Sequence, residues 1–159
     1  MKLIGDKNEF AIEYRISDTR NMMGYGKVWI QNKFYGTNQD LIYLEGYLGN
    51  LIKNILNAQQ VHFPIEQFSS ESIYEQMLKL LDETSDYLII SSTFTDDFMG
   101  FKYRDENHIV LVWKLRDDVE MIFDDLKNYS KSVVLVRVNS EIVEEVMNKF
   151  ENEIKKARA

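Results

Sequence analysis

The hydrophobic period of this chain changes three times along its length, and that sequence of changes restricts the architecture more than any motif does. Apolar residues recur at every second position in the first quarter, at every third or fourth from Asp40, at every second again from about Tyr87, and at every third or fourth after Asn139. A period of two belongs to half-buried strands and one of 3.6 to amphipathic helices. The order strands, helices, strands, helix, with short hairpin connections, predicts an α+β fold: a mainly antiparallel sheet with two inserted helices and a C-terminal helix packed on one face.

In the first block Phe10, Ile12, Tyr14 and Ile16 alternate with Ala11, Glu13 and Arg15, which makes a strand. Gly5-Asp6 reads as a chain reversal leading into it. "YGKVWIQNKFYG" reads as two further strands folded about Asn32-Lys33, because Asn tolerates the positive φ of a tight turn. From Asp40 the residues Leu41, Leu44, Leu48, Leu51 and Ile55 follow helical spacing, with Thr37 and Asp40 at capping-box distance. Gly46 and Gly49 interrupt that helix at about 1 kcal/mol each relative to Ala, so close packing against the sheet is expected there.

Pro64 in "AQQVHFPIEQFSS" marks a connecting loop. A helix is predicted from about Ser70, with Ile73, Met77, Leu80 and Leu81 on one face, a Ser72-to-Glu75 capping box and an end at "DETSD". Strands follow in "YLIISSTF", in "FMGFKYR" and in "HIVLVWKL", the last two joined by a turn at Asp105-Glu106-Asn107. In the next stretch Val119, Met121 and Phe123 alternate while Ile122 and Leu126 fit a helix, and we read it as a short strand plus loop. "SVVLVRV" is nearly continuous in apolar residues and reads as a central strand. The closing helix carries Glu141, Glu144 and Glu145 early and Lys155, Lys156 and Arg158 late, the order that complements the helix dipole, with Ser140 or Asn139 as cap.

No repeat, linker or low-complexity segment divides residues 1–159, so one domain is expected, large enough to bury about 70% of the surface of its unfolded chain. Cys is absent, so disulfides and thiolate zinc sites are excluded. No signal-like or membrane-spanning run occurs, and a cytoplasmic, soluble protein is expected. With 19 basic and 26 acidic residues the net charge is −7, which argues against nucleic acid or an anionic membrane as direct ligand and favours a basic partner.

Reactive groups are few. His62 and His108 are the only histidines and neither lies in a nucleophile or metal-ligand motif, and the glycines form no phosphate loop, so no catalytic set and no cofactor are expected. Three Asp doublets stand out: Asp96-Asp97, Asp117-Asp118 and Asp124-Asp125. They admit three readings. One is a hard-cation site supporting a metal-dependent phosphodiester hydrolase, although neighbours on a strand point to opposite faces. The second is solvated turns. The third is an acidic recognition surface, for which Trp29 and Tyr103 would supply aromatic anchors.

The stretches "IGDKNEFAIEYRIS", "GYGKVWIQNKFYG", "DLIYLEGYLGNLIKNI" and "GFKYRDENHIVLVWKL", in that order, resemble the bacterial immunity proteins of polymorphic toxin and contact-dependent growth inhibition systems, in particular the immunity protein 42 family. The likeness rests on Gly5-Asp6 before Phe10-x-Ile12-x-Tyr14, on "YGKVWI", and on the late hairpin ending near Trp113. It implies a non-enzymatic cytoplasmic inhibitor that binds the C-terminal domain of a cognate toxin, often a nuclease. It transfers no interface residues.

Overall fold

The computed structural model describes residues 1–62, 64–67, 69–81, 86–118 and 120–159. Its strands form two antiparallel sheets. The first is a meander of β1 (Lys2–Asp6), β2 (Phe10–Asp18), β3 (Met23–Ile30) and β4 (Lys33–Tyr35), with a two-residue β5 (Ile42–Tyr43) pairing the other end of β3. The second is β6 (Phe98–Asp105), β7 (His108–Leu115) and β8 (Val134–Asn139), in that order. Between them lie a π-helical turn (Leu44–Gly49) running into α1 (Asn50–Leu56), and α2 (Ser70–Leu80); a short α3 (Asp124–Lys127) precedes β8, and α4 (Ser140–Arg158) closes the chain. The α+β class and the antiparallel pairing are as expected.

One core joins the two sheets. Phe10, Ile12 and Tyr14 of β2 and Val28 and Ile30 of β3 meet Ile109, Leu111, Trp113 and Leu115 of β7. Val143, Val146, Phe150 and Ile154 of α4 pack into the same cluster. The period-two and period-3.6 patterns therefore point at a common interior. Alternation along β6 and β7 sends Phe101, Tyr103, Val110 and Val112 to the opposite face of the second sheet, where Ile73, Tyr74 and Met77 of α2 cover them.

Several local expectations are corrected. Lys2–Asp6 is a paired strand, and the reversal follows it: Asp6 Oδ1 accepts from Asn8 N (2.8 Å) and the Asp6 carbonyl from Glu9 N (3.0 Å). The β3–β4 turn is centred on Gln31-Asn32, both at positive φ (49° and 63°), one residue earlier than expected, since pairing Ile30 with Lys33 keeps Val28 opposite Tyr35. Asn32→Ala puts a residue that disfavours this conformation into the turn, and a loss of about 1 kcal/mol in denaturant unfolding is the expected result.

The helix begins at Leu44, because Ile42 and Tyr43 are drawn into pairing with Gly24 and Met23; Leu41 stays exposed outside it. Thr37 does not cap it, its hydroxyl being used elsewhere. A Cβ on Gly46 would lie 2.5 Å from the ring of Tyr43 in β5, a close approach to the first sheet, whereas one on Gly49 would face Met147 and Phe150 of α4 and not the sheet.

The α2 cap is Ser69, whose hydroxyl accepts from Ser72 N (3.0 Å), three residues before the expected box. The stop expected at "DETSD" falls mostly on residues 82–85, which with residue 119 lie outside the described residues; Met121 and Phe123, the rest of the expected alternation, are described and belong to no strand. "YLIISSTF" forms no strand of its own: Tyr87 and Ile89 pair only locally with the β6 edge, through Lys102 N to Tyr87 O and Ile89 N to Gly100 O. The segment before β8 holds the helical turn α3 rather than a strand. β8 is an edge strand, not a central one. Its run is continuous because Val136 and Val138 face the main core while the preceding Val133 packs toward α2.

Candidate protein-binding site

Two of the three Asp doublets converge. Asp97 precedes β6, Arg116 follows β7, and pairing of Phe98 with Leu115 sets the flanking residues side by side. Arg116 N donates to the Asp97 carbonyl (2.8 Å), its side chain reaches the Asp96 carbonyl (3.4 Å), and its guanidinium grips Asp118 with two bonds (3.1 and 2.9 Å). Lys114 pairs with Asp117 (3.0 Å), and Ser91 donates to Asp96 (2.7 Å).

Asp96, Asp97, Asp117 and Asp118 thus face Lys114 and Arg116, four carboxylates against two cations. Burial, then the neighbouring Asp96 charge, raise the Asp97 carboxyl against the pull of Arg116. The hydrogen bond from Arg116 holds the exposed Asp118 low. The patch is acidic and solvated.

The third doublet splits because α3 turns its two side chains to different surroundings. Asp124 is exposed, bonded to Lys127 (2.9 Å), and held low by that bond. Asp125 turns onto the face of the first sheet that carries Lys27 and Trp29, opposite the core-facing Val28 and Ile30. It meets the buried Lys27 Nζ at 3.2 Å, accepts from Thr37 Oγ1 at 2.7 Å and is within 3.3 Å of Asn38 N. Lys27 Nζ also sits 3.6 Å from the Phe34 ring centroid and 5.3 Å from that of Trp29. Sequence reasoning missed this pair, since 98 positions separate the partners and no local pattern links them.

The proposed anchors fare differently. Tyr103 is buried at 5% exposure in the cluster beneath α2 and hydrogen-bonds Gln67, so its ring is not displayed on the surface. Burial raises its hydroxyl above the usual tyrosine value. Trp29 is half-buried on the outer face of the first sheet, with Lys7 Nζ 4.1 Å from its ring centroid. Its Nε1 is buried and has no hydrogen-bond partner. It lines a groove with Phe34, Tyr129 and Leu135 that no sequence pattern indicated.

Among the described residues no group of three or more His, Asp or Glu side chains is disposed to hold a metal ion. His62 is exposed and His108 opens β7. No described helix is long and apolar enough to cross a membrane.

A comparison with curated proteins finds no match. Among solved structures the chain is similar to CdiI from Burkholderia dolosa AUO158, with a TM-score of 0.57 at 13% identity, covering 93% of this chain and 99% of that one, a likeness of fold. The model of the family described as immunity protein 42 matches residues 1–153, all of both sheets and the helices around them up to the last residues of α4, and the chain belongs to that family.

Proposed function

We propose that this chain, acting as one domain over residues 1–159, neutralises the C-terminal toxic domain of a cognate protein in the cytoplasm by forming a tight heterodimer with it. The toxin in this reading is a nuclease with a basic surface, and the acidic end built from Asp96, Asp97, Asp117 and Asp118 meets it. Membership of an immunity-protein family supports the toxin-neutralising role. The observation that carries the placement is the convergence of the two doublets from separate loops, on a chain of net charge −7. Such a field raises the association rate and selects partners of opposite charge, and inhibition requires no chemistry from the inhibitor.

The test uses the toxic domain encoded directly upstream of this chain's gene. Co-expression is expected to rescue cells making it. Asp96→Lys combined with Asp117→Lys is expected to slow association at low salt by about ten- to a hundredfold and to flatten its salt dependence. An association rate and salt slope equal to those of the unaltered chain would remove the acidic end from the interface.

A further inference from the structure

The two sheets present free edges to one another across a groove of about 600 Å³, with β4 on one wall and β8 on the other. The direction of the backbone groups on each edge follows from the pairing. Ser140 N donates to the Asn107 carbonyl, so even-numbered residues of β8 bond toward β7 and odd-numbered ones turn away from it. The Arg137 N–H and C=O, turned outward, are both taken by the Gln31 carboxamide (3.3 and 2.9 Å), which stands where the next strand would. Leu135, two residues back, aims its N–H and C=O along the same edge.

On the facing wall the Ile30–Lys33 pair closes the hairpin, which turns Phe34 outward, and its carbonyl accepts from Tyr129 Oη (2.7 Å). Gln31 therefore seals two edge groups of β8 and Tyr129 one of β4. Trp29 Nε1 has no hydrogen-bond partner among the described residues, and the register leaves the N–H and C=O of Leu135 unused by β7 and the N–H of Phe34 unused by β3.

Resting on the toxin-binding role proposed above, we infer that this groove receives a short extended segment of the cognate toxin, which pairs with the free edge of β8 at Leu135 and accepts a hydrogen bond from Trp29 Nε1. The ligand class follows from the donors and acceptors. An outward N–H and C=O recurring every second residue is the template for another polypeptide backbone.

The β3–β4 hairpin stands opposite, so a second copy of this chain has no room to extend the sheet in plane. From residue 133 to the Gln31-sealed Arg137 the edge runs about 13 Å, which fits roughly four residues of a protruding loop or hairpin tip. Lys27 neutralises the Asp125 carboxylate that lines the groove, so the segment is uncharged at its centre.

The experiment uses the same upstream-encoded toxic domain. On complex formation the Leu135 amide is expected to exchange with solvent at least about tenfold more slowly. Leu135→Pro removes an N–H the β7 ladder does not use, and is expected to weaken binding about ten- to thirtyfold, whereas Leu135→Val stays within about threefold. Trp29→Phe keeps a ring and loses the donor, with an expected loss of about fivefold.

Unchanged exchange at Leu135 together with wild-type binding by Leu135→Pro and Trp29→Phe would overturn the inference. So would a toxin-free dimer that Leu135→Pro dissolves. If the unaltered chain neither binds nor rescues, the toxin-binding reading itself falls; if it does both and only the edge variants are silent, the groove alone is refuted.

Discussion

Asp125→Ala is expected to lower the free energy of unfolding by about 3–5 kcal/mol, because it leaves the Lys27 ammonium buried without its counter-charge. Lys27 is 5% exposed, and α3 closes over it. Its only ion pair among the described residues is the one to Asp125. The rings of Phe34 and Trp29 remain, but a cation over an aromatic face recovers about 1–2 kcal/mol at most. The variant also removes the acceptor of the buried Thr37 hydroxyl.

Removing the charge as well separates these terms. Lys27→Met with Asp125→Ala is expected to restore most of the loss, since apolar groups of similar volume replace a buried pair at little net cost. Urea titrations of the two single variants and the double variant measure the coupling. A loss below about 1 kcal/mol for Asp125→Ala would mean that Lys27 reaches water when its partner is removed.

That pair also shows where sequence reasoning reaches its limit. Phe10, Ile12 and Tyr14, and the α4 face from Val143 to Ile154, were legible because strand and helix periods are local and survive any tertiary arrangement. What failed was decided by distant partners. Thr37 stands at cap spacing yet spends its hydroxyl on Asp125, 88 residues on. Leu41 continues a helical series yet lies outside the helix, because β3 takes the next two residues as a strand.

The same limit divided the Asp residues. Asp96, Asp97, Asp117 and Asp118 share one end because hairpin pairing is short-range and readable. Asp124 and Asp125 look equivalent in sequence, and only the first sheet's Lys27 distinguishes the inward one. The groove required knowing that β8 is an edge, and an apolar run such as "VVLVRV" reads as a sheet centre although Leu135 and Arg137 are exposed and only Val136 and Val138 face the core.

Lys102→Met is expected to stabilise the protein by about 1–3 kcal/mol at pH 7, with the advantage shrinking above pH 8. Lys102 lies on the core-facing side of β6, 3% exposed, beside Leu111 of β7, and its ammonium donates to the Leu88 carbonyl at 2.7 Å. Burial lowers it from the ordinary lysine value to about 8, against a smaller opposing pull from Asp86.

The folded chain therefore releases this proton well below the unfolded chain's value near 10.5, so between those values the unfolded state binds more protons and stability rises with pH. Below about pH 8 the cost of the buried charge is present in full. Buried tyrosines act in the opposite sense. Desolvation holds Tyr129 up to about 12 and raises Tyr14 and Tyr35 as well, so the stability they contribute is present below about pH 10 and lost as pH rises through their folded values.

The unaltered chain should accordingly gain stability from pH 7 to about 9.5 before losing it, while Lys102→Met loses the rising limb and keeps the fall. Thermal unfolding at pH 7, 8.5, 9.5 and 10.5 reads both limbs. A rising limb of equal height in Lys102→Met would assign it to some other group, and a destabilised variant at pH 7 would mean that the Leu88 carbonyl depends on its donor more than the core gains from losing the charge.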